Sequence, residues 1–295
     1  MKIIVTGSLG NIGKPLTQAL VQKGHEVIGI NHNTERQREI EALGATAAIG
    51  SIEDVDFLAT TFAGADVVYT MVPPNYFAEP DIREYYRKIG NNYAQAIKQA
   101  NVKRVLNLSS YGAHLGKGTG NILGAHYVES SLNELLDVSI THIRPTYFYY
   151  NLLNLIPMIK ATGTIYANYG GDKKFEMVSP LDIASAIAEE IESTPIDRKV
   201  RYVSSDELTG NEIANVLGNA IGKPDLKWIV ISDEDALKGY MDIGFPELLS
   251  KNLVEMFSCV QSGKLAEDYR LNKPTELGKV KFTAFLKDFL IAYNS

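Results

Sequence analysis

The 295-residue sequence holds one cysteine and five histidines, and its 29 lysines and arginines are outnumbered by 35 aspartates and glutamates. Cys259, being alone, can form neither an intramolecular disulfide nor a cysteine-based metal cluster, which fits a reducing compartment; a cytoplasmic location is expected. His25, His32, His114, His126 and His142 include no pair at a ligand-like helical spacing beside an acid, so no metal site is expected. A formal net charge of −6 provides no global positive field for phosphate backbones or anionic membranes, so direct nucleic-acid binding is not expected. No apolar run approaches the roughly 18 residues of a membrane helix. Ile3-Ile4-Val5 is far too short for a secretory signal core. Repeats and low-complexity tracts are missing as well, which sets solenoids and propellers aside.

What is present is a globular composition, 45% hydrophobic with 24 glycines and 11 prolines, long enough for two domains or one large domain with a cap. Short β-rich runs alternate with helical periodicity through the first half, as in parallel βαβ units. Strands are expected at 2–6, 26–30, 45–49, 66–71, 104–108 and 139–143. Between them, apolar residues such as Ile12/Leu16/Leu20 and Ile89/Tyr93/Ile97 fall on single helix faces. Right-handed crossovers wind such a series into an α/β, doubly wound parallel sheet whose ligand crevice lies at the strand C-termini. After Arg144-Pro145 the pattern loosens. The Met177–Val178 strand, the helix from Leu181 to Ile191 and the strand Val200–Ser204 are expected to return to the sheet. The expected layout is a dinucleotide-binding domain over 1–148, rejoined by 176–206, and a discontinuous, mostly helical cap over 149–175 and 207–295 on the substrate side.

Gly7-Ser-Leu-Gly10-Asn-Ile-Gly13 stands between the first strand and the first helix. Glycines in that turn let the backbone approach a pyrophosphate and aim the helix N-terminus at it, the Rossmann arrangement. An NAD-selective site places a carboxylate about 20 residues further on. Here that stretch reads Asn31-His32-Asn33-Thr34-Glu35-Arg36, with no acid at the strand end to repel a 2′-phosphate. Arg36, His32 and the Asn amides can donate to one, which favours NADP(H) over NAD(H). Arg36 and Arg38 also read as an ordinary solvated helix face.

IIVTGSLGNIG at the start, Gly50-Ser51-Ile52-Glu53-Asp54, VVYTMVPP over 67–74, VKRVLNLSSYGA over 102–113 and Ile143-Arg144-Pro145-Thr146-Tyr147-Phe148 resemble the NmrA-like, atypical branch of the short-chain dehydrogenase/reductases. The resemblance runs over most of the chain. It implies that Gly7, Ser8, Gly10, Asn11 and Ile12 hold the pyrophosphate. His32, Asn33 and Arg36 would read the 2′-phosphate, His32 standing where an arginine is common. Ser51 and Ile52 would border adenine, without the acid usual at the Ser51 position. Met71, Val72 and Pro73 would line one side of the nicotinamide ribose, and Ser109, Ser110 and Tyr111 the opposite wall.

Catalytic members of that superfamily carry a tyrosine with a lysine four residues later, the ammonium favouring tyrosinate. Here Tyr127 is followed by Ser131, and no lysine lies between Lys117 and Lys160. Reduction of an isolated ketone needs a good proton donor, whereas a quinone accepts hydride to give a stabilised phenolate that water can protonate. Quinone-like or other activated carbonyl acceptors are therefore expected. Tyr127, Ser110 and Tyr111 are the candidate catalytic residues, with His126 a further proton source. The aromatic run Tyr147-Phe148-Tyr149-Tyr150 suits stacking on a flat, aromatic substrate and equally suits a core. Five glycines between Gly112 and Gly124 suggest a segment that orders on cofactor binding, or a plain surface loop. A non-catalytic NADP(H)-sensing regulator with a protein partner or a homodimer surface is the alternative; a nucleotide-sugar epimerase is disfavoured without the Tyr/Lys pair.

Overall fold

The computed structural model describes residues 1–78 and 81–295. Strands β1 (Lys2–Thr6), β2 (Glu26–Asn31), β3 (Thr46–Ile49), β4 (Val67–Thr70), β5 (Arg104–Leu108) and β6 (Ser139–Pro145) open the chain. Helices α1 (Gly13–Gln22), α2 (Gln37–Ala42), α3 (Val55–Phe62), α4 (Ile82–Gln99) and α5 (Leu123–Asn133) alternate with them. Next come β7 (Tyr147–Phe148), α6 (Ile156–Thr162), β8 (Thr164–Ala167), β9 (Lys174–Val178), α7 (Pro180–Glu192), β10 (Arg198–Val203) and β11 (Asp206–Thr209). The chain finishes with α8 (Gly210–Ala220), β12 (Lys227–Val230), α9 (Asp233–Asp242), α10 (Glu247–Ser262), α11 (Glu267–Leu271) and α12 (Phe282–Asn294). Among the described residues no helix is long and apolar enough to cross a membrane.

The main sheet has seven strands in the order β3-β2-β1-β4-β5-β6-β10. Its six consecutive strands are the ones expected, paired in parallel with Ile3 opposite Val27 and Val67, and Asn107 opposite Thr70 and His142. β-Branched runs such as Ile3-Ile4-Val5 are wholly buried because helices cover both faces of such a sheet. α4 shows how the helices are fixed. Asp81 caps it by accepting from the amides of Arg83 and Glu84, while Ile82, Ile89, Tyr93 and Ile97 form its buried face. The order in which the chain adds strands reverses at β1, with β2 and β3 on one side and β4 on the other, and open α/β sheets form their ligand crevice at the strand C-termini of such a point.

The chain forms two compact units. Unit 1 comprises Met1–Ala113, Gly124–Arg144 and Ile183–Arg201; unit 2 comprises His114–Leu123, Pro145–Asp182 and Tyr202–Ser295. These edges differ from the expected division at 148 and 176–206. β10 does join the main sheet, but the strand through Met177 and Val178 does not return to it. It pairs in parallel with β7, Tyr147 opposite Met177, and antiparallel with β11, Glu207 opposite Glu176. Unit 2 is mostly helical, as expected, and also holds the two-stranded β12-β8 sheet. Its core gathers Tyr147, Tyr149, Tyr169, Phe175, Trp228, Phe282, Phe285 and Phe289. Within the aromatic run, Tyr147 and Tyr149 enter this core, whereas Phe148 and Tyr150 stack on each other with centroids 5.0 Å apart.

Candidate functional site

The glycine turn is built so tightly that side chains are excluded from it. Gly7 has φ +62°, and a Cβ on Gly13 would stand 2.1 Å from the Gly7 carbonyl oxygen. Gly10 N donates to that same oxygen at 3.0 Å, closing the turn. Ser8 is fully buried, and its hydroxyl donates to Ile30 O of β2 at 3.3 Å. Its side chain therefore braces the turn from inside. Gly10 and Asn11 remain exposed at the N-terminus of α1, where the first helical amides lack intrahelical acceptors.

Across the strand reversal, the segment after β4 is held by three side chains. Thr6 Oγ1 accepts from Met71 N at 2.8 Å, Tyr93 OH donates to Met71 O at 2.7 Å, and Tyr86 OH donates to Val72 O at 3.2 Å. Met71 also reaches the glycine turn, its sulfur 2.6 Å from where a Cβ on Gly7 would lie. Gly7, Met71 and Val72 are thereby brought together at the crevice, with Pro73 exposed just beyond.

The candidate 2′-phosphate residues lie on the turn after β2. Asn33 Oδ1 accepts from Glu35 N at 2.9 Å, so part of its amide caps this turn. His32 is exposed. Arg36 donates twice to Glu39, at 2.9 and 3.0 Å. Those bonds hold the Glu39 carboxyl below the usual carboxylate range, and the charge of Lys14 in α1 adds to the effect. Glu39 thus feels two cations, and Lys14, the residue after Gly13, is far in sequence from the end of the second strand, where a 2′-phosphate partner is expected. At the end of β3, Ser51 is exposed and its hydroxyl accepts from Glu53 N at 3.1 Å, while Ile52 O accepts from Asn92 Nδ2 at 3.4 Å.

The opposite wall is more heavily buried. Ser109 N donates to Ile143 O at 2.8 Å, and its hydroxyl donates to Glu129 Oε1 at 2.5 Å. Arg144 donates to both oxygens of that carboxylate, at 2.9 and 2.6 Å. Burial opposes ionisation of Glu129, but these bonds outweigh it and keep the carboxyl below its ordinary range. Beside it runs a polar chain across three strands: Thr70 Oγ1 donates to Asn107 Oδ1, Asn107 Nδ2 faces His142 Nδ1, and His142 Nε2 faces Asn133 Oδ1. Because Asn107 Nδ2 can only donate, His142 is neutral with its proton on Nε2. Burial lowers the His142 pKa, as do the charges of Arg144 and Arg198, against the pull of Glu129.

Of the candidate catalytic residues, Ser110 turns its hydroxyl to Tyr111 O at 3.0 Å, and Tyr111 is 4% exposed. Tyr127 carries the Arg87 guanidinium of α4 over its ring, 3.7 Å from the centroid. Ser131, where the superfamily has lysine, bonds to Asn91 Oδ1 of α4 at 2.7 Å. That helix face packs on α4 and contains no lysine–tyrosine pair. On the neighbouring face His126 Nδ1 lies 2.8 Å from Ala113 O; a carbonyl only accepts, so Nδ1 carries a proton.

The strand order and the glycine turn at the reversal define a Rossmann-type α/β protein. The model of the NmrA-like family matches residues 1–286, and the chain belongs to that family. It is 24% identical over 271 residues to an NAD(P)H azoreductase from Xenophilus azovorans, a match covering 90% of this chain and 89% of that protein. In fold it resembles an NADPH-dependent quinone oxidoreductase from Escherichia coli solved with NADPH, with a TM-score of 0.82 and 20% identity over 98% of this chain and 99% of the other. It also resembles triphenylmethane reductase from Citrobacter sp. complexed with NADP(H), with a TM-score of 0.80 and 19% identity over 97% and 99% of the two chains.

Proposed function

We propose that the chain is an NAD(P)H-dependent reductase of quinone-like or other activated acceptors, using NADPH in preference to NADH. The observation that carries the dinucleotide assignment is the turn at Gly7, Gly10 and Gly13, where a Cβ on Gly13 would strike the Gly7 backbone and one on Gly7 the Met71 side chain, while the amino end of α1 stays open. The dihydronicotinamide, when bound, supplies the hydride. The chain's own residues hold and orient: Asn11 and Ile12 offer backbone amides to the pyrophosphate over the open surface of Gly10, and Met71 and Val72 are fixed as one wall by Thr6, Tyr93 and Tyr86. Ser109 is the other wall. Its hydroxyl proton is given to Glu129, so its oxygen is left to accept, which suits the N–H of a carboxamide.

Lys14 and Arg36 support the NADPH preference. Both act on Glu39, and the Arg36–Glu39 pair is solvent-exposed, so a 2′-phosphate can take the place of Glu39 at little cost. The missing Tyr/Lys pair supports acceptors whose reduced form needs no strong enzymatic acid, in keeping with the names of the azo-dye and quinone reductases above. The test is a fluorescence titration with NADPH and NADH, followed by NADPH oxidation with a panel of quinones and azo dyes. Preferential NADPH binding with turnover supports the reading. Tight binding without turnover on any acceptor would replace it with a nucleotide-sensing regulator.

A further inference from the structure

In unit 1 the wall formed by Met71 and Val72 continues into a turn tipped by two exposed rings. From Val72, whose carbonyl is held by Tyr86, the chain runs out through the exposed Pro73 and Pro74, a stem with φ fixed at both residues. It then closes a β-turn over residues 75–78, where Ala78 N donates to Asn75 O at 3.2 Å. Asparagine at the first position is what such a turn favours. Tyr76 and Phe77 at the tip, 49% and 69% exposed, are not, because turn tips are the place of Gly, Asn, Asp and Ser. A single exposed apolar side chain needs no explanation, but two adjacent rings on a stiff stem keep contiguous apolar surface in water, which marks a place where something binds.

Topology puts that tip at the rim of the ligand crevice. In a parallel sheet each strand's C-terminus and the N-terminus of the helix after it open on the same edge. The turn between β4 and α4 therefore shares an edge with the glycine turn after β1, the strand paired with β4. Met71, at the root of the stem, already lies against Gly7, and four residues of chain keep Tyr76 within about 14 Å of Val72. Two rings bury at most about 500 Å² between them, short of the roughly 800 Å² that each partner of a stable dimer covers, yet ample for the face of one flat ligand. We propose that Tyr76 and Phe77 are the outer stacking surface for the acceptor and select flat, fused-ring acceptors over single-ring ones. That the ring stacked there is one being reduced rests on the reductase reading above; the position of the two aromatic side chains at the rim does not.

Steady-state NADPH oxidation by the full chain compares phenanthrenequinone, with three fused rings, and benzoquinone, with one. Phe77→Ala should raise the KM for phenanthrenequinone about fivefold relative to that for benzoquinone, the loss of one stacking contact, and should change kcat far less. Tyr76→Ala should act in the same direction. Phe77→Tyr keeps a flat ring and should restore the ratio, whereas Phe77→Leu, apolar without being flat, should not. Leu136→Ala, at an 87% exposed apolar position of the same unit, controls for non-specific adsorption, and circular dichroism confirms that each surface variant is folded. A KM ratio that stays within about twofold in both alanine variants, or that Leu136→Ala shifts equally, overturns the stacking surface and leaves the reductase reading standing. Self-association that Phe77→Ala abolishes while the ratio stays put overturns it too, and assigns the tip to a second copy of the chain. If no acceptor oxidises NADPH, calorimetric titration with phenanthrenequinone decides. Binding that Phe77→Ala weakens sinks the reductase reading and leaves the surface, and equal or undetectable binding sinks both.

Discussion

Removing one half of the buried Glu129–Arg144 pair gives a prediction with both a size and a sign. Side chains of Glu129 and Arg144 are 7% and 8% exposed, and the carboxylate receives two hydrogen bonds from the guanidinium and one from Ser109. Arg144→Leu leaves a buried carboxylate with the Ser109 bond and no counter-charge, a loss of about 3–5 kcal/mol in comparable cases. In the unaltered protein the Glu129 pKa is depressed, burial being outweighed by Arg144. Its stabilisation is therefore full above the unfolded value, about 4.3, and is lost as pH falls through the lower folded value. In the variant burial dominates and the folded pKa rises. The penalty is then greatest at neutral pH and shrinks in acid, as Glu129 takes up a proton. Urea unfolding of both proteins at about pH 7.5 and about pH 5 reads this directly. A loss under about 1 kcal/mol at neutral pH, or one that does not shrink in acid, would refute the reasoning. Glu129→Met combined with Arg144→Leu should recover most of the loss, since no charge then remains buried.

Gly13→Ala should weaken NADPH binding by about tenfold or more, because its Cβ cannot enter the turn without displacing Gly7; an unchanged Kd by fluorescence titration would remove the turn from the site. Lys14→Ala and Arg36→Ala should each raise the Kd for NADPH by about tenfold while leaving that for NADH within about twofold, and Glu39→Gln should tighten NADPH; parallel changes for both nucleotides would contradict the phosphate assignment. His142, whose pKa is lowered chiefly by burial, contributes stability that is present above its unfolded value of about 6.5 and lost as pH falls; His142→Gln should flatten the stability profile between about pH 6.5 and pH 5. Tyr127→Phe keeps the ring under Arg87 and should leave quinone turnover within about twofold, whereas a loss above about a hundredfold would make the phenol the proton donor.

β1 to β6 and the glycine turn were legible because β-branched runs, helical spacing and a strand–turn–helix sequence are local properties. Partners are not local. The strand through Met177 looks as fit for the main sheet as any, and only its pairing with Tyr147 and Glu207 assigns it to the smaller one. Helical spacing put Tyr127 on α5 but could not say that its face meets Arg87 and Asn91 of α4. Likewise, glycine count alone cannot separate freedom from close approach: Gly120 is there because α10 backbone lies against it.

The polar residues inside the strands make the same point with more consequence. Thr70, Asn107 and His142 are polar residues in otherwise apolar runs, and nothing in their spacing along the chain connects them. Parallel register sets Thr70 beside Asn107 and Asn107 beside His142, and the Asn107 amide nitrogen, which donates, with the Asn133 amide oxygen, which accepts, then determines where the imidazole proton sits. Protonating that ring would set an N–H against the Asn107 amide donors, so the register enforces a neutral histidine beside the ionised Glu129. The protonation state of the wall that carries Ser109 is thus set by the alignment of three strands, not by any one of them.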